Sequence, residues 1–261
     1  MLVSIWNYRR FIWQNAVRDL RHRYAGSSMG FLWNVINPLS QILIYTVVFS
    51  RLMEIRIPNL SSASTFAVYL CSGLIPWISF NETVIRCTNS FYENANYLKK
   101  LALPEIVFVV QNAWSSFLSL LISMMLFIGV CLILGHYPSG SWTILLVILI
   151  LMQGFAFGLG LIFGILNTFF KDVGQLLVIL MQILFWTTPI VYLEGILPLW
   201  FKKILPMNPL YHFVRALHVV IVDKKWPSFE PWMVMIGLAI ISPILGYQWL
   251  TRVKSEIRDV L

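Results

Sequence analysis

Charge is what this chain has least of. Only 11% of its 261 residues are Asp, Glu, Lys or Arg, while 59% are hydrophobic; a soluble domain carries about 25% charged residues. There is too little polar surface to cover a globule, which excludes a soluble protein and leaves a polytopic membrane protein. Acid is scarcer than base: 11 acidic against 19 basic residues, a net charge of +8. The basic residues cluster beside apolar stretches, where anionic lipid and the positive-inside bias account for them, so no nucleic-acid partner is expected. Cysteine is nearly absent. Cys71, Cys87 and Cys131 lie in apolar segments, their number is odd and there is no CxxC, so neither a disulfide framework nor a metal site is expected. No phosphate-binding glycine motif occurs: Gly154, Gly158, Gly160 and Gly164 sit inside an apolar run with no Lys-Ser or Lys-Thr after them. The chain therefore has no ATP site of its own. It has no evident catalytic group either, because His22, His136, His212 and His218 read as interface or loop residues without a convergent acid or nucleophile. No cleavable signal is expected, since residues 1–24 hold Arg9, Arg10, Arg18, Asp19, Arg21 and Arg23 and no apolar core.

What is present is a succession of apolar runs with the length of membrane helices. The fold expected is all-α: one transmembrane domain over 1–261, with an amphipathic interface helix at 1–25, six spans at 31–53, 66–92, 105–134, 142–170, 173–192 and 232–250, a cytoplasmic segment at 93–104 and a re-entrant region at 194–231. About 20 apolar residues cross a bilayer. The N-terminal helix alternates Ile5, Trp6, Phe11, Ile12 and Trp13 with arginines, the composition of a helix lying in the headgroup layer; a basic flank that only sets topology is the plainer reading. In the first span Asn34, Asn37 and Gln41 share one face, and in the fifth Gln175 and Gln182 do. Such stripes serve either interhelical hydrogen bonds or a wet path. The fourth span's two GxxxG pairs permit close helix contact. The fifth ends in the aromatic FWTTPIVY and is kinked by Pro189. Prolines at 198, 206, 209, 227 and 231 punctuate runs too short to cross, so Trp200–Leu205 and Tyr211–Val222 read as short re-entrant helices, the second started by Asn208 before Pro209.

The second span holds Glu82 and Arg86, spaced i, i+4, which is read as a structural ion pair rather than a proton relay because no other acid lies deep in a span. With both termini in the cytoplasm the inner side holds eleven Lys and Arg and the outer side seven, a bias decided by the N-terminal cluster. The stretch Pro76–Pro104 then ends in the cytoplasm. A short wet segment held between two apolar helices is a handle: a partner pushing on Tyr92, Asn94, Asn96, Lys99 and Lys100 would move both spans. Asn94 or Asn96 would cap a short helix there.

These residues fall into an ordered set of motifs. They are RHRYAGSSMGFLWNVINPL at 21–39, Pro76-Trp77 with Phe80, NANYLKK at 94–100, Leu103-Pro104, FFKDV at 169–173, TPIVY at 188–192 and NPLYHFV at 208–214. Together they resemble the permease subunit of polysaccharide-exporting ABC transporters of the ABC type-2 family. Met29 stands where that family often has leucine, and Ala102-Leu103 before Pro104 replaces a more usual aromatic. The resemblance implies two copies paired around a channel in the bacterial inner membrane, with two separate ATPase subunits beneath that bind ATP and Mg. The cargo would be an undecaprenyl-linked O-antigen, capsule, teichoic-acid or related glycan. It also implies a path lined by the first, second and fifth spans, which points to Trp33, Tyr45, Trp77, Phe80, Phe185, Trp186 and Tyr192 beside the polar stripes. An aromatic belt at the interface explains Trp33 and Tyr192 as well. A drug or lipid exporter of the same superfamily is the alternative. A secondary transporter fits less well, because it calls for inverted repeats and charged midplane sites.

Overall fold

The structure, a computed structural model, describes residues 1–23, 27, 29–48, 63–100 and 103–260, and every regular element among them is helical. The end of the expected first span, the polar loop from Glu54 to residue 62, and residues 101–102 of the cytoplasmic segment lie outside the described residues. The α-helices, in chain order, are α1 (Leu2–Asn7), α2 (Arg9–His22), α3 (Trp33–Val47), α4 (Ala63–Glu93), α5 (Ala95–Lys100), α6 (Ile106–Ile133), α7 (Leu145–Phe169), α8 (Val173–Thr187), α9 (Leu199–Ile204), α10 (Pro209–Ile221) and α11 (Phe229–Val260). Among the described residues, three segments are long and apolar enough to cross a bilayer: Ile106–Ile133, Gly140–Phe169 and Phe229–Arg258.

Local chemistry explains several boundaries. α6 ends where Gly135 adopts φ +79, with His136 N–H donating to Cys131 O at 2.8 Å and Gly135 N–H to Leu132 O at 3.1 Å. This is a Schellman stop, and only glycine takes that backbone position without strain. α10 starts as expected: the Asn208 side chain accepts from Leu210 N–H at 2.9 Å, and Pro209 occupies the first turn, where its missing N–H costs nothing.

Three boundaries differ from the sequence reading. The N-terminal helix is two helices, broken at Tyr8 (φ −100, ψ 14), with Arg9 donating at 2.9 Å to the freed carbonyl of Trp6. α8 has 15 residues, about 22 Å at 1.5 Å per residue, and stops before the predicted end at Tyr192. Thr188 precedes Pro189 and is extended (φ −99, ψ 131), the conformation that a following proline favours over the helical one. At the other end of the chain the basic tail is not separate: α11 runs 32 residues, from before the predicted sixth span to Val260. It runs on through Pro243, and Leu250 and Ile257 are buried along its far half.

α7 is the hub, with α4 along one side, α11 along another and α6 covering α4. Its glycines make this possible. A side chain at Gly154 would touch Ala239, and one at Gly158 would overlap Ser242 and the backbone at Pro243, both on α11. At Gly160 it would overlap Cys87, and at Gly164 it would lie 3.1 Å from the Cys87 carbonyl, both on α4. The two GxxxG pairs therefore serve two different partner helices, by letting backbones approach where lipid supplies no hydrophobic drive. The core falls into two parts. One spans α4, α6, α7 and α10 around Phe80, Phe127, Met152 and Phe213. The other gathers Ile12, Phe91, Leu98, Val107, Leu161 and Ile257 from α2, α4, α5, α6, α7 and α11.

Candidate coupling segment and translocation path

α5 is the centre of the cytoplasmic segment. Asn94 stands just before it, its carbonyl accepting from the N–H groups of Tyr97 and Leu98 at 3.0 Å. Its side-chain amide donates back to Ser90 O at 2.9 Å. The side chain of Leu98 is 1% exposed and plugs α5 into the second core cluster, while Asn96, Lys99 and Lys100 point outward. Tyr92 is exposed, with the Lys171 ammonium 6.0 Å from its ring centroid. Behind the segment Arg258 donates to Glu105 Oε1 at 2.6 Å and to Leu103 O at 3.1 Å. A buried anchor packs α5 against α4, α6 and the end of α11, and Arg258 ties the chain just after the segment to α11. The sequence reading missed Leu98, Glu105 and Arg258; the only signal was an acid directly after Pro104 and a basic tail.

The Glu82–Arg86 pair is present at 3.4 Å, but it belongs to a larger network. Arg86 donates to Asp19 Oδ2 at 2.6 Å, Ser115 donates to the same carboxylate at 2.5 Å, and Arg23 lies 2.5 Å from Glu82 and 3.5 Å from Asp19. Ser116 donates to Glu82 at 3.2 Å, and Asn112 donates to Arg86 O at 3.1 Å. Two acids and two arginines alternate, so each charge meets its opposite, which is the condition for placing them at the membrane edge. Burial pushes the Asp19 carboxyl up, but the Ser115 hydroxyl and the Arg86 and Arg23 charges outweigh it and hold it below the ordinary carboxylate range. The pair is structural, as the sequence indicates, and is extended by an acid from outside the spans: Asp19 comes from the interface helix, which packs across α6.

The residues expected along a path divide by exposure. Trp77 (6% exposed) and Phe80 (0%) lie in a ring stack with Phe155 and Phe213. Phe185 leans on Trp77 at 5.6 Å, and Tyr45 packs partly buried against the same core. Asn34 is buried and donates to Leu20 O at 3.0 Å, docking α3 on α2, and the Trp33 indole donates to Ser27 at 2.9 Å. Asn37 and Gln41 on α3, and Gln175, Gln182 and Trp186 on α8, have exposed side chains. The Tyr192 hydroxyl donates to Trp186 O at 2.8 Å. The turn 188–192 is held from outside these motifs: the Tyr69 hydroxyl lies 3.1 Å from Pro189 O and 3.0 Å from Tyr192 O, and its ring stacks 3.8 Å from that of His218. His212 and His218, expected in interface or loop positions, are buried on α10. Gly73 makes room for the His218 ring, since a side chain there would meet its Nε2 at 2.9 Å.

This chain is similar along most of its length to curated permeases. It is 29% identical over 245 residues to the O-antigen export system permease protein RfbA of Klebsiella pneumoniae, covering 94% of this chain and 92% of that protein. To the protein of the same name from Myxococcus xanthus it is 24% identical, over 91% and 90% of the two chains. To the polysialic acid transport protein KpsM of Escherichia coli it is 25% identical, over 76% of each. The family model described as ABC-2 type transporter matches residues 10–222, the stretch that holds the ion network, the coupling segment, the hub helix and the Tyr69–His218 brace, and the chain belongs to that family.

Proposed function

We propose that this chain is the permease of an ABC exporter that moves a lipid-linked polysaccharide, an O-antigen or related cell-surface glycan, across the bacterial inner membrane. The observation that carries the reading is the run of similarity to O-antigen and polysialic acid permeases, which covers most of both chains and includes the cytoplasmic segment as well as the apolar helices. Six spans with both termini in the cytoplasm complete the topology: α3 and α4 give the first two, α8 extended by the turn 188–192 the fifth, and α9–α10 re-enter from the outer face. Two copies pair with α3 and α8 toward each other, so that Asn37, Gln41, Gln175 and Gln182 line a wet conduit. Trp186, and where the rings open Phe185 and Tyr45, offer stacking surfaces to sugar. Lys99 and Lys100 meet acidic rims on two ATPase subunits, which supply ATP and Mg.

A cell lacking the chain should accumulate undecaprenyl-linked glycan on the cytoplasmic face and regain surface glycan when it is restored. Normal surface glycan with altered drug or lipid efflux would point instead to the drug- or lipid-exporter reading. The paired variant Lys99→Glu, Lys100→Glu should lose ATPase assembly or uncouple hydrolysis from export. Assembly and export at wild-type level would remove this segment from the coupling role.

A further inference from the structure

A groove whose lining includes no residue of α3 or α8 has two adjoining chambers. The first, about 560 Å³, is lined by Arg9, Arg10, Trp13 and Gln14 of the interface helix. The second, about 350 Å³, runs between α6 and α7 and is walled by Ala113, Phe117, Ile150 and Phe157. Ile5, Val110 and Trp114 border both, so the chambers form one groove with a cationic mouth and an apolar depth. Val110 to Phe117 on α6 covers two helical turns, about 11 Å along the axis. The polar group in the depth, Gln153, is already satisfied: it accepts from Thr83 at 2.7 Å and donates to Ser79 at 2.8 Å. The depth therefore asks for hydrocarbon.

The mouth asks for an anion. Arg9 and Arg10 are exposed, and neither has a carboxylate partner among the described residues. Arg9 is steered by its bond to Trp6 O and by the Trp6 ring, 4.6 Å from its guanidinium carbon. Between mouth and depth stand Trp13 and Trp114, ring centroids 6.1 Å apart, the residue type that settles at headgroup level. We propose that this groove binds one anionic phospholipid of the bilayer, its phosphate between Arg9 and Arg10 and one acyl chain laid between α6 and α7. The lipid would bridge α1, α2 and α6.

The test uses the full chain purified in mild detergent, with native mass spectrometry counting lipids retained per chain. Palmitoyl-oleoyl-phosphatidylglycerol should bind at one per chain and phosphatidylcholine of the same acyl chains more weakly. Removing both charges with Arg9→Gln, Arg10→Gln should weaken the phosphatidylglycerol complex about thirtyfold, since each basic residue near a membrane surface contributes on the order of a fivefold effect. Arg10→Gln alone, which disturbs no bond to Trp6, should weaken it about fivefold and serves if the double variant does not fold. Ala113→Leu should block the apolar depth and lower occupancy with both arginines intact. Equal retention of the two lipids, full binding in Arg10→Gln or Ala113→Leu, or displacement by inorganic phosphate at millimolar concentration would overturn the proposal. So would an equal loss in Arg252→Gln, a cation outside the lining of the groove.

Discussion

Replacing Asp19 with asparagine keeps the shape of the side chain and removes one charge from a four-member network. Asp19 accepts from Arg86 at 2.6 Å and Ser115 at 2.5 Å and lies 3.5 Å from Arg23. Without it two guanidiniums share Glu82. Removing one partner of a fully buried ion pair costs about 3–5 kcal/mol. Here the four side chains are 20 to 29% exposed, so water screens part of the loss and about 2–3 kcal/mol is expected. Arg86→Gln should cost a similar amount. The double variant should cost less than the two single losses together, by about 1–2 kcal/mol, inside the range of about 0.5–3 kcal/mol found for residues in one network. Unfolding of the purified chain in mixed micelles by SDS titration, followed by tryptophan fluorescence, measures all three. The pH dependence gives a second check. Asp19's folded-state pKa lies below its ordinary 3.8, so its contribution is fully present above 3.8 and is lost as pH falls through the lower folded value. The gap between wild type and Asp19→Asn should therefore hold from pH 8 to 5 and close only below about 3.8. Losses that simply add, or a gap that closes near neutrality, would show that Asp19 does not anchor the interface helix through Arg86.

Three further outcomes are expected. Asn37→Leu with Gln182→Leu should fold and assemble with the ATPase yet fail to export glycan, as read from surface glycan and co-purified ATPase; normal export, or failure to fold, would assign the stripes to packing. Cysteines replacing Lys203 and Lys224 should both react with a membrane-impermeant maleimide added outside intact spheroplasts, and labelling only after lysis would overturn the placement of α9 and α10 at the outer face. Gly158→Val should be worse tolerated than Gly154→Ala, because the former meets the backbone at Ser242–Pro243 while the latter makes ordinary contact with Ala239. Overpacking of this kind costs about 1–3 kcal/mol or more, so the SDS midpoint of Gly158→Val should fall while that of Gly154→Ala stays near wild type.

What the sequence determined by itself is local or compositional. Scarce charge sets the solvent, apolar length marks the helices at 106–133 and 145–169, and Asn208-Pro209 starts α10 because a side-chain acceptor and a fixed φ act within two residues. Pro189 is likewise legible, although its consequence, a helix ending at Thr187, was read a few residues too late. The GxxxG pairs announced close packing but not which helix would approach, since both faces of α7 look alike in a list of apolar residues. Long-range pairing was decided by the tertiary structure alone. Asp19 meets Arg86 across 67 positions and Glu105 meets Arg258 across 153, and neither spacing has a local signature. A charge near a membrane surface can reach water, lipid or another charge at small cost, so its partner is fixed only when packed helices bring a particular opposite charge within hydrogen-bond distance. The same reason hid Leu98 and Ile257. On a periodic pattern they are ordinary apolar residues of a polar segment and a basic tail, and only the convergence of α4, α5, α6 and α11 turns them into the buried contacts that join the cytoplasmic segment to the membrane helices.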